Sequence, residues 1–254
     1  MEQFHTGRHA LITGGGTGIG LAIAQVLAAQ GAQVTITGRR GDVLEAAAAA
    51  TPGLHPLVMD VAVEDSVVKG CAEAIAARGP VTICVANAGI AEGKSMAKMD
   101  MAFWRNMMAI NLDGAYLTAR ETLRGMLAEQ WGRMIFVASI AGLKGLKGAP
   151  AYTASKHGMI GLMRGLSEEY MGSGITFNAL CPGYVDTDIV TRNTLSIATR
   201  AGIDNEKARE MMTKTNRHKR LVTAEEVAAA ANFICAPASG SFNGQTVEIA
   251  GGQM

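Results

Sequence analysis

Short apolar runs alternate with helix-spaced segments along the whole chain, and no other feature limits its fold as strongly. The runs are His9–Thr13, Gln33–Thr37, Leu57–Met59, Val81–Val85, Met134–Ala138, Ile175–Leu180 and a last one around Gln245–Ile249. Between them, Ile19, Ile23, Val26 and Leu27 recur at helical spacing up to Gly31. Ala46–Ala50 is a low-complexity helix former stopped by Thr51-Pro-Gly53. Further helices are expected over Glu64–Arg78, Asp100–Gln130, from Tyr152 to about 171, and over Ala224–Cys235. The strand runs are apolar throughout rather than alternating, the mark of strands buried on both faces. That predicts an α/β fold, a parallel sheet covered by helices on two sides. With 254 residues and no linker, the chain reads as one domain spanning 1–254, with the basic stretch 191–220 as an insertion within it.

Bulk properties exclude several classes. The net charge of +1 predicts no general attraction to nucleic acid or to a membrane surface. No apolar run reaches 18 residues, and the N-terminus carries an acid and no signal-like apolar core, so a soluble, cytoplasmic protein is expected. Cys71, Cys84, Cys181 and Cys235 lack CxxC spacing and read as buried thiols in a reducing compartment. The five histidines show no ligand spacing, so no metal is expected.

The chemistry-bearing stretch is Ser139–Lys156. Tyr152 and Lys156 stand four residues apart on a helix and therefore share a face. A free phenol titrates near ~10, and a neighbouring ammonium favours its ionised form; lowering it by ~3 units takes about 4 kcal/mol of differential interaction. Ser139 ends the Met134–Ala138 run. A serine at a strand end and a Tyr/Lys pair on the following helix can converge on one carbonyl oxygen, an arrangement suited to hydride transfer beside a nicotinamide.

A glycine cluster, Gly14-Gly-Gly-Thr-Gly-Ile-Gly20, lies between the first strand and the first helix. There, backbone N–H groups and a helix N-terminus can hold a pyrophosphate. Its spacing, together with Asn87-Ala-Gly89, Asn111, Ser139, Tyr152-x3-Lys156 and Pro182-Gly183, resembles the short-chain dehydrogenase/reductase family over essentially the whole chain. The resemblance implies a single-domain, Rossmann-type, doubly wound parallel sheet of about seven strands. It also implies a homotetramer packed through helices at about 112–130 and 152–171 and the C-terminal region. By the same resemblance Tyr152 is the general acid/base, Lys156 tunes it and bonds the nicotinamide ribose, Ser139 holds the substrate oxygen, and Asn111 supports a proton-relaying water. The implied cofactor-binding set is Gly14, Thr17, Gly18, Ile19 and Gly20 in the glycine loop and Asn87, Ala88 and Gly89 after the fourth strand. Tyr152, Lys156, Pro182, Gly183, Val185 and Thr187 complete it on the nicotinamide side.

The choice of nicotinamide is set at the end of the second strand, where an acid would bond a ribose 2′-hydroxyl and an arginine a 2′-phosphate. This chain has Thr37-Gly38-Arg39-Arg40 there, which predicts NADP(H) over NAD(H). Arg39 is the favoured contact, with Asp60 and Val61 beside the adenine; Asp42, close by, works against the preference.

The insertion 191–220 holds eight lysines and arginines against three acids, and Lys144 and Lys147 add charge near the same mouth. In the family this segment is the lid over the substrate. A basic lid suits a phosphate- or carboxylate-bearing substrate, and the pattern is most similar to 3-oxoacyl-thioester reductases acting on coenzyme A or carrier-protein esters. Carrier-protein reductases tend to have basic docking residues where this chain has Gln130 and Ser173, with only Arg133 close, which favours a CoA ester or small ketone. Leu195, Ile197, Ile203, Met211 and Met212 could line an apolar acyl or aryl pocket. The alternatives are a carbonyl or aryl-ketone, sugar or polyol, or hydroxysteroid dehydrogenase on the same machinery. An NADP-binding regulator without catalysis is a different class again.

Overall fold

The computed structural model describes residues 3–187, 190, 194, 198, 202–214 and 216–252, with the side chains of Met211 and Met212 left aside. One seven-stranded sheet runs through the molecule in the order β3-β2-β1-β4-β5-β6-β7. The strands are β1 His9–Thr13, β2 Gln33–Gly38, β3 Leu54–Val58, β4 Val81–Ala86, β5 Gly132–Val137, β6 Ile175–Pro182 and β7 Thr246–Ile249. Every pairing is parallel. The helices between them are α1 Gly18–Ala29, α2 Gly41–Ala50, α3 Glu64–Arg78, α4 Met101–Met108, α5 Gly114–Ala128 and α6 Pro150–Glu169. A helix at Asn205–Thr213 and another at Ala224–Cys235 follow.

Alternate residues of each strand point to opposite faces. Ala10, Ile12, Val34, Ile36, Ile83 and Val85 enter a core with α1, α2 and helix Ala224–Cys235. Leu11, Cys84, Met134, Phe136 and Phe177 enter the other, with α3, α5 and α6. Both faces are buried, so the strand sequences are apolar without alternation, as the sequence reading required.

Two elements differ from the sequence expectation. β3 begins before Pro56, not after it. As an edge strand it tolerates the missing N–H, because one side of it has no ladder to complete. The helical stretch after Asp100 is α4 and α5 joined through a π-helical turn, Ala109–Asp113, which contains Asn111. Such turns insert one residue into the helical register and recur at functional sites.

The strand order reverses between β1 and β4. In open parallel sheets the crevice at the carboxyl ends of the strands beside such a switch is where ligands bind. Every candidate site residue but Lys156, Asn111 and Tyr152 lies on a segment leaving one of those strand ends.

Candidate active site

The glycine loop is welded to the end of β4. Thr13 Oγ1 accepts from the N–H groups of Asn87 and Ala88 at 3.0 and 2.9 Å. Asn87 Nδ2 donates back to Thr13 O at 2.8 Å and Gly14 O at 3.2 Å. Gly14 sits at φ +65° and Gly18 at φ +53°, conformations that a side chain disfavours. At Gly20 a Cβ would fall on Gly14 O and lie 2.5 Å from Asn87 Nδ2. The loop thus opens onto the N-terminus of α1 as a cradle that side chains would fill.

That cradle is one end of a cavity of about 650 Å³. Gly14, Thr17, Gly18, Ile19, Gly20, Arg40, Asn87, Ala88 and Gly89 line it at the loop end. Ser139, Tyr152, Lys156, Pro182, Gly183, Val185 and Thr187 line it at the other. Thr187 arches across: its Cγ2 would be 3.1 Å from a Cβ on Gly18. Bare backbone at a helix N-terminus, with an arginine at one end and a phenol and an ammonium at the other, fits a nicotinamide dinucleotide. Arg39, Asp60, Val61 and Asn111 are off the wall. Arg40, the residue just before α2, lines the cavity in place of its neighbour Arg39. The Asp60 carboxylate accepts from Ala62 N at 3.0 Å, and Val61 packs inward where a Cβ on Gly114 would be 2.8 Å from it.

At the far end, the Ser139 hydroxyl accepts from Ala141 N at 3.1 Å and lies beside the Tyr152 phenol. Lys156 is 4 % exposed; its Nζ donates to Val137 O at 2.8 Å and lies 5.9 Å from the centre of the Tyr152 ring. Burial pushes the Tyr152 phenol up, and the Ser139 bond opposes that rise. Burial also brings the Lys156 ammonium down to about 8. Shared helical spacing suggested a lysine that lowers the phenol. In this geometry burial dominates both groups, because the ammonium is directed at the β5 carbonyl.

Asn111 is fully buried one layer behind. Its Oδ1 accepts from Ile90 N at 2.8 Å, and its Nδ2 donates to Ile90 O at 3.0 Å and to Ser155 Oγ at 3.1 Å. Ser155 Oγ in turn donates to Tyr152 O at 2.8 Å. A Cβ on Gly89 would be 3.1 Å from Asn111 Oδ1 and 3.6 Å from Lys156 Nζ, so Gly89 is the spacer between them. The sequence reading missed Ser155 and Ile90 as tethers of this layer. The signal for Ser155 was its place inside the Tyr152–Lys156 turn; Ile90 bonds through its backbone and left none.

The substrate side adds Glu92, Ile140, Leu146, Lys147, Ala149, Tyr184 and Val190 to the cavity wall. Tyr184 is half-buried, packs on Val190 and Leu221, and burial raises its phenol. Four bases of the positive insertion are paired with acids, two of these acids inside it and two outside. Lys207 pairs with Asp204, Lys214 with Glu210, Arg220 with Glu226 and Arg209 with Asp186, at 2.6–3.3 Å. Arg192, Leu195, Ile197 and Arg200, and the side chains of Met211 and Met212, lie outside the described residues. Arg133 is only 3 % exposed and so presents no docking charge. Among the described residues no group of His, Cys, Asp and Glu could hold a metal, and no helix is long and apolar enough to cross a membrane.

Comparison with known proteins agrees with this fold. The family described as short chain dehydrogenase matches residues 8–197. A 3-oxoacyl-[acyl-carrier-protein] reductase, MabA, of Mycobacterium avium is 33% identical, over 96% of this chain and 89% of its own. A D-beta-hydroxybutyrate dehydrogenase of Cupriavidus necator is 34% identical over 97% of both chains. Among solved structures, an actinorhodin polyketide ketoreductase variant with NADPH superposes with a TM-score of 0.95 at 28% identity, over 98% of each chain.

Proposed function

The chain belongs to the short-chain dehydrogenase family of oxidoreductases acting on CH–OH and C=O groups, and from that premise we propose that it is an NADP(H)-dependent ketoreductase whose substrate is a 3-oxoacyl thioester. The observation that carries the reaction is the convergence of Ser139, Tyr152 and Lys156 on the end of the cavity opposite the glycine loop. Reduced nicotinamide, when bound, supplies the hydride.

The chain's own residues supply the proton and its route. The neighbouring Ser139 and Tyr152 hydroxyls hold a ketone oxygen between them. A phenol raised by burial is protonated at neutral pH and so is a donor to the oxygen as negative charge develops there. Lys156, brought down to about 8, stands ready to rebalance that charge and to bond a ribose hydroxyl. Asn111, through Ser155 and Ile90, fixes the backbone around the pair.

Support for the thioester comes from the relatives' reactions and from the apolar wall of Ile140, Leu146, Ala149 and Val190. The burial of Arg133 weighs against carrier-protein docking, and the paired lid bases offer less charge to CoA phosphates. A second reading, a small hydroxy-acid dehydrogenase, rests on Lys147 at the cavity wall and on the hydroxybutyrate relative. Support for NADP(H) is Arg40 at the adenosine end.

The test is Tyr152→Phe with NADPH and a panel of 3-oxoacyl-CoA esters, carrier-protein esters, 3-oxo acids and aryl ketones. Proton transfer by a positioned group contributes ~10²–10⁴-fold, so turnover falls by that much while NADPH binding persists. Unchanged turnover would remove Tyr152 from the chemistry. Tight NADPH binding with no turnover of any ketone by the unaltered protein would favour a regulator.

A further inference from the structure

Three basic side chains meet at the end of the sheet where the strands begin, far along β1 and β5 from the cleft. Arg133 enters β5, Arg8 and His5 precede β1, and Gln30 follows α1. Arg133 Nη1 donates to Gly132 O at 2.8 Å and Gly174 O at 3.4 Å, but its Nε is buried without a partner. Both guanidiniums lie over the Trp131 ring, Arg8 at 3.9 Å and Arg133 at 4.6 Å from its centre. His5 is fully buried and neither ring nitrogen has a partner. Burial and then the charges of Arg8 and Arg133 push its imidazole down to about 4, which places it in the field of both. Gln30 O accepts from His5 N at 2.9 Å, while Gln30 Oε1 is another buried atom without a partner. Its amide can be turned to present N–H groups instead.

Orphaned buried polar atoms are uncommon, and here they gather in one place and are mostly able to donate. A buried guanidinium is costly unless a counter-charge reaches it. The Trp131 face and two carbonyls offset part of that cost for Arg133, but among the described residues no Asp or Glu pairs with Arg8 or Arg133. We infer that Arg8, Arg133, His5 and Gln30 form an anion site, for a small anion such as chloride or a single carboxylate. None of the four lines the dinucleotide cavity. Its cover is the short segment 3–7, whose Gln3, Phe4, Thr6 and Gly7 are exposed, so an anion arrives from that side when the segment lifts.

Trp131 is a built-in reporter, and Trp104 is the only other tryptophan in the sequence. The experiment uses the full chain carrying Trp104→Phe, saturated with NADP⁺ so that the glycine loop is filled. Chloride is exchanged for isethionate at constant ionic strength while Trp131 emission and Tm are followed. A saturable emission change with a rise in Tm is expected, weakened about tenfold or more by Arg133→Met. Arg8→Gln, at a half-buried residue, gives the same answer should the first variant not fold. No saturable response, or one unchanged by Arg8→Gln, overturns it.

Discussion

Two arginines stand side by side after β2, and only Arg40 reaches the cavity wall. Replacing Arg40 with alanine therefore separates the cofactor reading from mere surface charge. A charge-assisted hydrogen bond is worth ~1.5–3 kcal/mol net, so kcat/KM for NADPH should fall by about 10- to 150-fold. NADH has a hydroxyl in place of the phosphate and should change by less than about threefold. The fold should survive: Arg40 is exposed, and although it stands at the N-cap of α2 its side chain makes no capping bond, so stability should move by no more than ~0.5 kcal/mol. Arg39→Ala, off the wall, should cost NADPH much less than Arg40→Ala. The preference should also weaken as salt rises, since two exposed charges are screened beyond roughly 10 Å at 0.1 M. Steady-state kinetics with both cofactors at two ionic strengths make the measurement. Equal losses with NADPH and NADH, or a larger loss from Arg39→Ala, would refute the assignment of the phosphate to Arg40.

The other predictions concern the scaffold. Gly20→Ala places a methyl on Gly14 O and against Asn87 Nδ2, so it should cost ~1–3 kcal/mol of stability and weaken dinucleotide binding, measured by urea melts and cofactor titration. Gly145→Ala, where a Cβ meets nothing within 4 Å, is the control and should be near neutral. His9 is buried with Nδ1 bonded to Gly79 O at 2.8 Å and Nε2 to Thr35 Oγ1 at 2.8 Å, and Arg78 Nε donates to that same hydroxyl at 2.9 Å. Burial first, then the charges of Arg78 and His55, hold its pKa below 6.5, with the Gly79 bond opposing. The unfolded chain therefore binds the proton more readily, and His9 contributes stability that is lost as pH falls below 6.5. Melts at pH 7 and 5 should show a larger loss in the unaltered protein than in His9→Gln; equal losses would show that His9 titrates alike in both states.

What the sequence revealed follows how local each determinant is. The strand runs were legible because burial on both faces leaves an uninterrupted apolar signature that needs no knowledge of neighbours. The start of β3 was not, because Pro56 is acceptable only on an edge, and edge position is a property of the whole sheet. The glycine loop was legible for a similar reason: Gly14 and Gly20 must be small where backbone meets Asn87, and that requirement is written in residue type. Asn111 shows the opposite case. Its partners, Ile90 and Ser155, lie 21 and 44 positions away along the chain, and its own turn is π-helical within a stretch that reads as ordinary helix. The insertion's excess of bases suggested an anionic substrate, yet four of those bases meet acids, two of them, Asp186 and Glu226, outside the insertion.

Tyr152 and Lys156 mark where the two kinds of information divide. Four-residue spacing places both on one face, and the structure keeps them there. Spacing does not say where a flexible ammonium goes, and here it caps Val137 O at the end of β5, one residue beyond the last pairing of that strand with β4, Ala86 with Phe136. A carbonyl left over at a strand end is a strong acceptor in a buried place. It draws the lysine toward the sheet and leaves the phenol to burial and to Ser139. On the proposed mechanism, the phenol favoured in this geometry is the form that donates in ketone reduction, and the phenolate used in the reverse reaction is the form that Lys156 would favour once drawn off that carbonyl. The pH dependence of each direction is then coupled to the position of one ammonium, and a lysine drawn away from Val137 O should leave that carbonyl to water or to a ribose hydroxyl.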